Sequence, residues 1–149
     1  MDQGEIKVNA FDNLIDQIND TAGNIQRERG TLFEKLVLAY LKNEPTYKQL
    51  YSDVWLLNEV PKHFGIPKKD TGVDLVAQQK NGELVAIQAK FYKEKIGKAE
   101  INSFVADLGK HYYNRGLIIS TVDEWNKNAL DTVNYNQKNI EIIGLTDLR

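Results

Sequence analysis

The sequence predicts an α/β domain, a mixed β-sheet flanked by helices, on three observations. Lys80-Asn81-Gly82 is strong hairpin chemistry, and it joins two strand-like runs, Val73–Gln78 and Glu83–Phe91. Two further apolar runs of strand length follow, Leu117–Ser120 and Ile140–Ile143. Helical periodicity occupies the stretches before and between these runs. The resulting order is helix, three strands, helix, strand, helix, strand, which suits one sheet covered by helices.

From Glu5 to about Asn19, Ile6, Phe11, Leu14, Ile15 and Ile18 recur near the helical period. Thr21 to Arg29 is polar, with Gly23 and Gly30 at either end, and reads as a connector. Residues 1–29 are therefore expected to form an N-terminal helix and connector, and residues 30–149 the functional domain. Thr31–Lys42 predicts a helix whose wide apolar face is Leu32, Phe33, Leu36, Val37, Tyr40 and Leu41. Thr31 and Glu34 fit a capping box at its start, and Pro45 lies just past its end. A short helical turn is expected around Tyr47–Tyr51, followed by a strand from Val54 to Val60 and a loop marked by Pro61, Gly65 and Pro67. Beyond the hairpin, Ala99–Tyr113 is an amphipathic helix carrying Ile101, Phe104, Val105, Leu108 and Tyr112. Arg115-Gly116 leads into the next strand. Thr121 can cap a last helix with Trp125, Ala129, Leu130 and Val133.

At 149 residues the chain suffices for one domain with a real core, and is too short for two ordinary ones. No stretch approaches the roughly 18 apolar residues of a membrane span. The start, Met-Asp-Gln-Gly-Glu, carries acids where a signal peptide carries Lys or Arg. Without cysteine there is no disulfide framework, thiol nucleophile or thiolate zinc site, and a cytoplasmic location fits. The net charge of -2 is unusual for a stand-alone nucleic-acid binder, whose affinity comes largely from Lys and Arg on phosphates. Any main grip on DNA is expected elsewhere, on a larger polypeptide or a partner.

One cluster carries chemistry. Asp74 opens one strand of the hairpin, and Gln88-Ala89-Lys90 ends the other. Strand alternation puts Gln88 and Lys90 on one face and Val85, Ile87 and Ala89 on the other. A three-residue loop with Gly82 left-handed pairs Gln79 with Glu83 and sets Asp74 opposite Gln88. Carboxylate, amide and ammonium then converge, and Gly72 lets backbone or substrate come close. Phosphodiester hydrolysis needs a metal on the phosphate, an activated water, and positive charge near the developing negative charge. Asp74 can hold Mg²⁺, with the Gln88 side-chain oxygen and the Ala89 carbonyl as further ligands. Lys90 is placed to orient water or steady the phosphorus. Singly, these residues read as a turn acid, a solvated amide and a snorkelling lysine. Jointly, in register, they read as a site. Glu34 is either the acid of the capping box or a metal-site carboxylate, since an idle acid on an apolar helix is costly.

The blocks Gly30-Thr31-Leu32-Phe33-Glu34, Asp70-Thr71-Gly72-Val73-Asp74-Leu75-Val76-Ala77, Ile87-Gln88-Ala89-Lys90-Phe91-Tyr92 and Gly116-Leu117-Ile118-Ile119-Ser120-Thr121 resemble the successive motifs of Mrr-like restriction nucleases. That family belongs to the PD-(D/E)XK, restriction-endonuclease-like superfold. The resemblance runs from about Gly30 to Leu148. It is greatest to the N-terminal nuclease of single-polypeptide, type I-like (type ISP) restriction–modification enzymes. It implies a Mg²⁺-dependent DNA endonuclease, with Mn²⁺ as a substitute and Asp74, Gln88, Lys90 and Glu34 as the catalytic set. Double-stranded DNA would be the substrate, and helicase, methyltransferase and target-recognition domains would share the polypeptide. Gln88 departs from the Asp or Glu of the parent superfold but is a variant among Mrr-like members. Restoring the acid by Gln88→Glu is expected to keep activity.

Lys68 and Lys69 precede Asp74, and Tyr92, Lys93, Lys95 and Lys98 follow the catalytic strand; these are the expected DNA-backbone contacts. His63 and His111 are the two histidines, too isolated for a His-based metal site, and no Walker A segment offers an ATP site. Two other functions fit the same residues. A Holliday-junction resolvase would need a dimer and a basic face, and an inactive DNA-binding or interaction module would leave Asp74 and Lys90 unexplained.

Overall fold

The computed structural model describes residues 13, 26–68, 72–90, 98–121, 127–134 and 136–144. Apart from Asn13, the helix expected over Glu5–Asn19 lies outside the described residues, as do Lys69, Tyr92, Lys93, Lys95, Trp125 and the Lys98 side chain. Helix α1 spans Gln26–Asn43 and α2 Pro45–Leu50. Strand β1 follows at Tyr51–Leu56, then two 3₁₀ turns, Leu57–Glu59 and Lys62–Phe64. Strands β2 (Leu75–Gln79) and β3 (Leu84–Lys90) form the hairpin. Helix α3 (Lys98–Leu108), strand β4 (Arg115–Ser120), helix α4 (Lys127–Asn134) and strand β5 (Ile140–Ile143) complete the described chain.

The strands form one sheet in the order β1-β2-β3-β4-β5. The first three are antiparallel neighbours, and β3, β4 and β5 are parallel. Parallel neighbours need a crossover to return the chain to the starting edge, and α3 and α4 lie in those two connections. A strand covered on both faces reads as a near-continuous apolar run, as β3 and β4 do. On one face, Phe33, Val37 and Leu41 of α1 pack with Tyr47 of α2 over Leu75, Ala77, Val85, Ile87, Ala89, Leu117 and Ile119. On the other, Ile101, Phe104 and Leu108 of α3 and Ala129 and Val133 of α4 cover Val76, Leu84, Ala86 and Ile118. Phe33, Val37 and Leu41 are one helical turn apart and at most 2% exposed, and each such burial stabilises by about 1.5–3 kcal/mol.

The hairpin register is the expected one. Gln78 pairs with Leu84 and Leu75 with Ile87, where the ladder ends; the expected Asp74–Gln88 pair is not part of it, and the Asp74 N–H donates instead to the Ile87 carbonyl at 2.8 Å. The Gln79 N–H donates to the Glu83 carbonyl at 2.8 Å, and Gly82 turns the chain with φ +93°.

Four boundaries differ from expectation. Helix α1 begins at Gln26, so Gly30 and Thr31 lie inside it and the Thr31–Glu34 capping box does not form. Gly30 weakens a helix by only about 1 kcal/mol and does not stop one, and the preceding Gln, Arg and Glu residues are good helix formers. Glu34 is thereby released from any capping role. Strand β1 begins earlier than expected, directly after α2, and gives way at Leu57 to a 3₁₀ turn instead of running to Val60. Pro45 stands at the first position of α2, where Glu44 caps the helix by accepting from the Thr46 N–H at 2.8 Å. Helix α3 stops at Leu108, short of Tyr113, and Lys138 Nζ donates to the Leu108 and Lys110 carbonyls at 2.7 Å.

Candidate active site

Asp74 sits one residue before β2, where the hairpin strands open away from their turn. Its main chain is held on both sides: the N–H donates to the Ile87 carbonyl at 2.8 Å, and the carbonyl accepts from the Leu57 N–H at 3.0 Å. The second bond carries the β1–β2 register one residue past Leu56–Leu75, so β1 holds Asp74 from one side and β3 from the other. The Asp74 carboxylate accepts from the Ala89 N–H at 2.9 Å through Oδ2. Burial raises the Asp74 pKa, opposed by the Ala89 N–H and by the Lys90 ammonium.

Glu34 reaches the same place from α1. Its pKa is raised from 4.5 to about 7, first by burial and then by the negative charge of Asp74, while Lys90 pulls the other way. Three charges from three elements thus act on one another at one end of the sheet. Glu34 and Asp74 border a cleft of about 560 Å³ whose lining also includes Lys35 of α1, Asn58 and Glu59 of the 3₁₀ turn, and Lys68.

Gln88 is 1% exposed, so the solvated reading of this amide fails. Its Nε2 donates to the Gly72 carbonyl at 3.2 Å. Its Oε1 is a buried atom with no hydrogen-bond donor, although the residue as a whole makes further contacts. Gly72 is needed for a close approach, but what approaches is α3. A Cβ at Gly72 would stand under 3.0 Å from the Phe104 nitrogen and from the Ser103 carbonyl carbon and hydroxyl.

Asp74, Glu34 and Lys90 are therefore brought together, and the Asp74 carboxylate is held by the Ala89 N–H, next in the chain to Gln88. Lys68 lines the cleft and is exposed. His63 and His111 are exposed and packed against their neighbours Phe64 and Tyr112, and neither lines the cleft. The sequence reading missed Lys35, Asn58 and Glu59. Asn58-Glu59 ahead of Pro61 was a turn signal inside the supposed strand, whereas nothing marked Lys35 beyond its place next to Glu34.

Among the described residues no three His, Cys, Asp or Glu side chains gather into a metal cage. Magnesium does not require one. It is commonly held by one or two carboxylates, with water and substrate oxygens completing the octahedron. Asp74 and Glu34, with the Gln88 amide oxygen, are a hard-oxygen donor set of that kind.

Residues 42–149 match the profile of an Mrr catalytic-domain family described as restriction endonuclease. The chain belongs to that restriction endonuclease family. The matched stretch takes in Asp74, Gln88 and Lys90 and excludes Glu34, whose place in the site rests on geometry. Among solved structures, the nuclease chain is 67% identical to the "ATP-dependent Type ISP restriction-modification enzyme LlaBIII bound to DNA", with a TM-score of 0.81. The alignment covers 93% of this chain and 8% of that one, so the restriction endonuclease domain spans about a twelfth of the relative's length. Two more distant structures share the fold: MspJI restriction endonuclease in complex with a 27-mer oligonucleotide and the DNA modification-dependent restriction endonuclease AspBHI. Their identities are 18% and 15% and their TM-scores 0.63 and 0.59. Both alignments cover 99% of this chain, against 31% of the first and 36% of the second. No curated protein sequence matches the chain. Among the described residues no helix is long and apolar enough to cross a membrane.

Proposed function

We propose that this restriction-endonuclease domain is a Mg²⁺-dependent DNA endonuclease module of a larger cytoplasmic restriction–modification polypeptide, with helicase, methyltransferase and target-recognition domains beyond it. The observation that carries the reading is the meeting of Glu34, Asp74 and Lys90, from three different elements, at the open end of the hairpin. Two partly buried carboxylates held near one another are costly unless something compensates them, and a divalent cation does so directly.

In this reading Asp74, Glu34, the Gln88 amide oxygen and the Ala89 carbonyl hold the ion, and Mn²⁺ can replace Mg²⁺. When bound, the metal polarises the scissile phosphate and lowers the pKa of a coordinated water. Asp74 is steadied for this by the Ala89 N–H, which occupies Oδ2 and leaves the second carboxylate oxygen for the cation. Lys90 places positive charge where the phosphate oxygens gain negative charge, and orients the attacking water. Lys68 and Lys69, with Tyr92, Lys93, Lys95 and Lys98, contact phosphates of double-stranded DNA on either side of the cut. With a net charge of -2 the domain grips DNA weakly, and an attached motor would raise its effective concentration at the strand.

The test is supercoiled-plasmid cleavage by residues 1–149. We expect slow nicking without sequence preference, supported by Mg²⁺ or Mn²⁺ and stopped by a chelator. Cleavage that persists in the chelator would remove metal from the account. A clean, sequence-specific double-strand cut would show a self-sufficient restriction enzyme in place of a module.

A further inference from the structure

Gly72 joins two parts of the molecule that the sequence keeps apart. Its N–H donates to Oδ2 of Asp107 in α3 at 2.5 Å, and Asp107 is 35 residues away in the chain. Its carbonyl accepts from Nε2 of Gln88 at 3.2 Å. Between these bonds Gly72 lies against the α3 backbone so closely that no Cβ would fit. Val73, the next residue, is 2% exposed and packed in the same cluster as Phe104, and Asp74 follows it. The segment that delivers Asp74 is thus fastened to α3 by one charge-assisted hydrogen bond and one tight backbone contact.

We propose that Asp107 is a positioning residue that, through Gly72, sets which end of the Gln88 amide is offered to the metal. This rests on the nuclease reading above. An amide has a donor end and an acceptor end, and only the acceptor can bind a cation. With Nε2 committed to the Gly72 carbonyl, Oε1 is the end left over. The reverse orientation would set oxygen against oxygen at a buried position, acceptor against acceptor. Asp107 fixes the Gly72 backbone from the far side, so the carbonyl that selects the amide orientation stays in place. Support of this kind, one shell out from the ligands, is how proteins hold metal-ligand orientation.

The arrangement also explains the amide in place of an acid. A carboxylate at position 88 has no proton to give Gly72 and would face its carbonyl with another acceptor. On this proposal Gln88→Glu loses the bond to the Gly72 carbonyl, so the variant's activity, expected from the sequence to be kept, becomes a further check on it.

The experiment compares the wild-type chain with Asp107→Ala and Asp107→Asn, using two readouts that do not depend on cleavage. One is Mn²⁺ binding without DNA, followed by calorimetry. The other is the side-chain amide resonance pair of Gln88 in a ¹⁵N-labelled chain. Asp107→Ala should weaken Mn²⁺ binding about tenfold and shift the Gln88 amide signals. Asp107→Asn keeps an oxygen for the Gly72 N–H and should stay within about threefold of wild type. Val105→Ala, which thins the same helix's packing away from Gly72, serves as the stability control and should leave Mn²⁺ affinity unchanged. Mn²⁺ binding and Gln88 signals that ignore Asp107→Ala would overturn the assignment, reducing Asp107 to a tether for α3. A wild-type chain that binds no Mn²⁺ would overturn the nuclease reading as well, whereas normal binding insensitive to Asp107 overturns this inference alone.

Discussion

At the turn end of the β2–β3 hairpin, most polar groups are answered within the turn itself, and one by a side chain of β4. Gln79 and Gly82 close the backbone, Asn81 both donates to and accepts from Glu83 at 3.0 Å, and Glu83 pairs with Arg115 at 3.1 Å. At the open end of the same two strands, Asp74 and Glu34 are carboxylates whose burial raises their pKa, and the Gln88 amide is sealed from solvent. One end is closed by local chemistry at little cost. The other is assembled from α1, the segment before β2, β3 and α3, and concentrates charge that the fold alone does not favour. Perturbed carboxylates gathered at one end of a fold mark it as the candidate functional end.

The contrast predicts opposite responses to mutation. Asp74→Ala and Lys90→Ala should each reduce plasmid nicking at least about 100-fold. Asp74→Ala should leave thermal stability unchanged or higher, because it removes one of two partly buried carboxylates, whereas Lys90→Ala removes their counter-charge and should not raise it. Nicking by these variants at the wild-type rate would place the activity elsewhere. Next in size is Gly72→Ala, where the new methyl meets the α3 backbone. Overpacking of this kind costs about 1–3 kcal/mol, and denaturant unfolding should show it. Wild-type stability in that variant would contradict the close contact.

Glu34 gives a pH signature that the turn end lacks. Its pKa is near 7 folded against 4.5 ordinarily, so the folded chain binds more protons between those values. Stability on this account is greatest at and below about pH 4.5 and falls as pH rises through about 7, before other groups are considered. Glu34→Gln should therefore gain about 1–2 kcal/mol relative to wild type at pH 8, a figure discounted for the solvent screening of a half-buried group, and little at pH 4.5. A constant difference across pH would show that Glu34 carries no shifted charge. The smallest effects belong to the turn. Gly82→Ala, at φ +93°, should cost about 1 kcal/mol. Glu83→Ala should change stability by no more than about 0.5 kcal/mol, as expected of an exposed pair, with nicking unchanged in both.

What could be read from the sequence follows the same division. Asn81-Gly82 and the alternation of β3 are local signals, and together they predict the β2–β3 pairing that brings Asp74 to the Gln88–Lys90 end of β3. The two parallel strands were equally plain, as short apolar runs behind helical periodicity. Features set by distant contacts were not legible. The Asp107–Gly72 bond spans 35 residues and leaves no pattern. Gln88 reads as a surface amide because its neighbours in sequence do not show that α3 covers its face of the sheet. The start of α1 was misplaced because Gly30 was taken as a boundary, when the burial of Phe33, Val37 and Leu41 stabilises the helix and the polar turns before it extend without a stop. The shift at Glu34 comes first from burial in the fold and then from Asp74, and Asp74 is distant from it in the chain.

The most direct test of the open end as a cation site is thermal unfolding at pH 8, with and without millimolar Mg²⁺, in wild type and Asp74→Ala. An ion that binds the folded chain alone stabilises it by mass action, about 1.4 kcal/mol at ten times its dissociation constant. The account predicts a rise in wild-type midpoint that grows with Mg²⁺ concentration and disappears in Asp74→Ala. A midpoint indifferent to Mg²⁺, or a rise that survives the loss of Asp74, would contradict it.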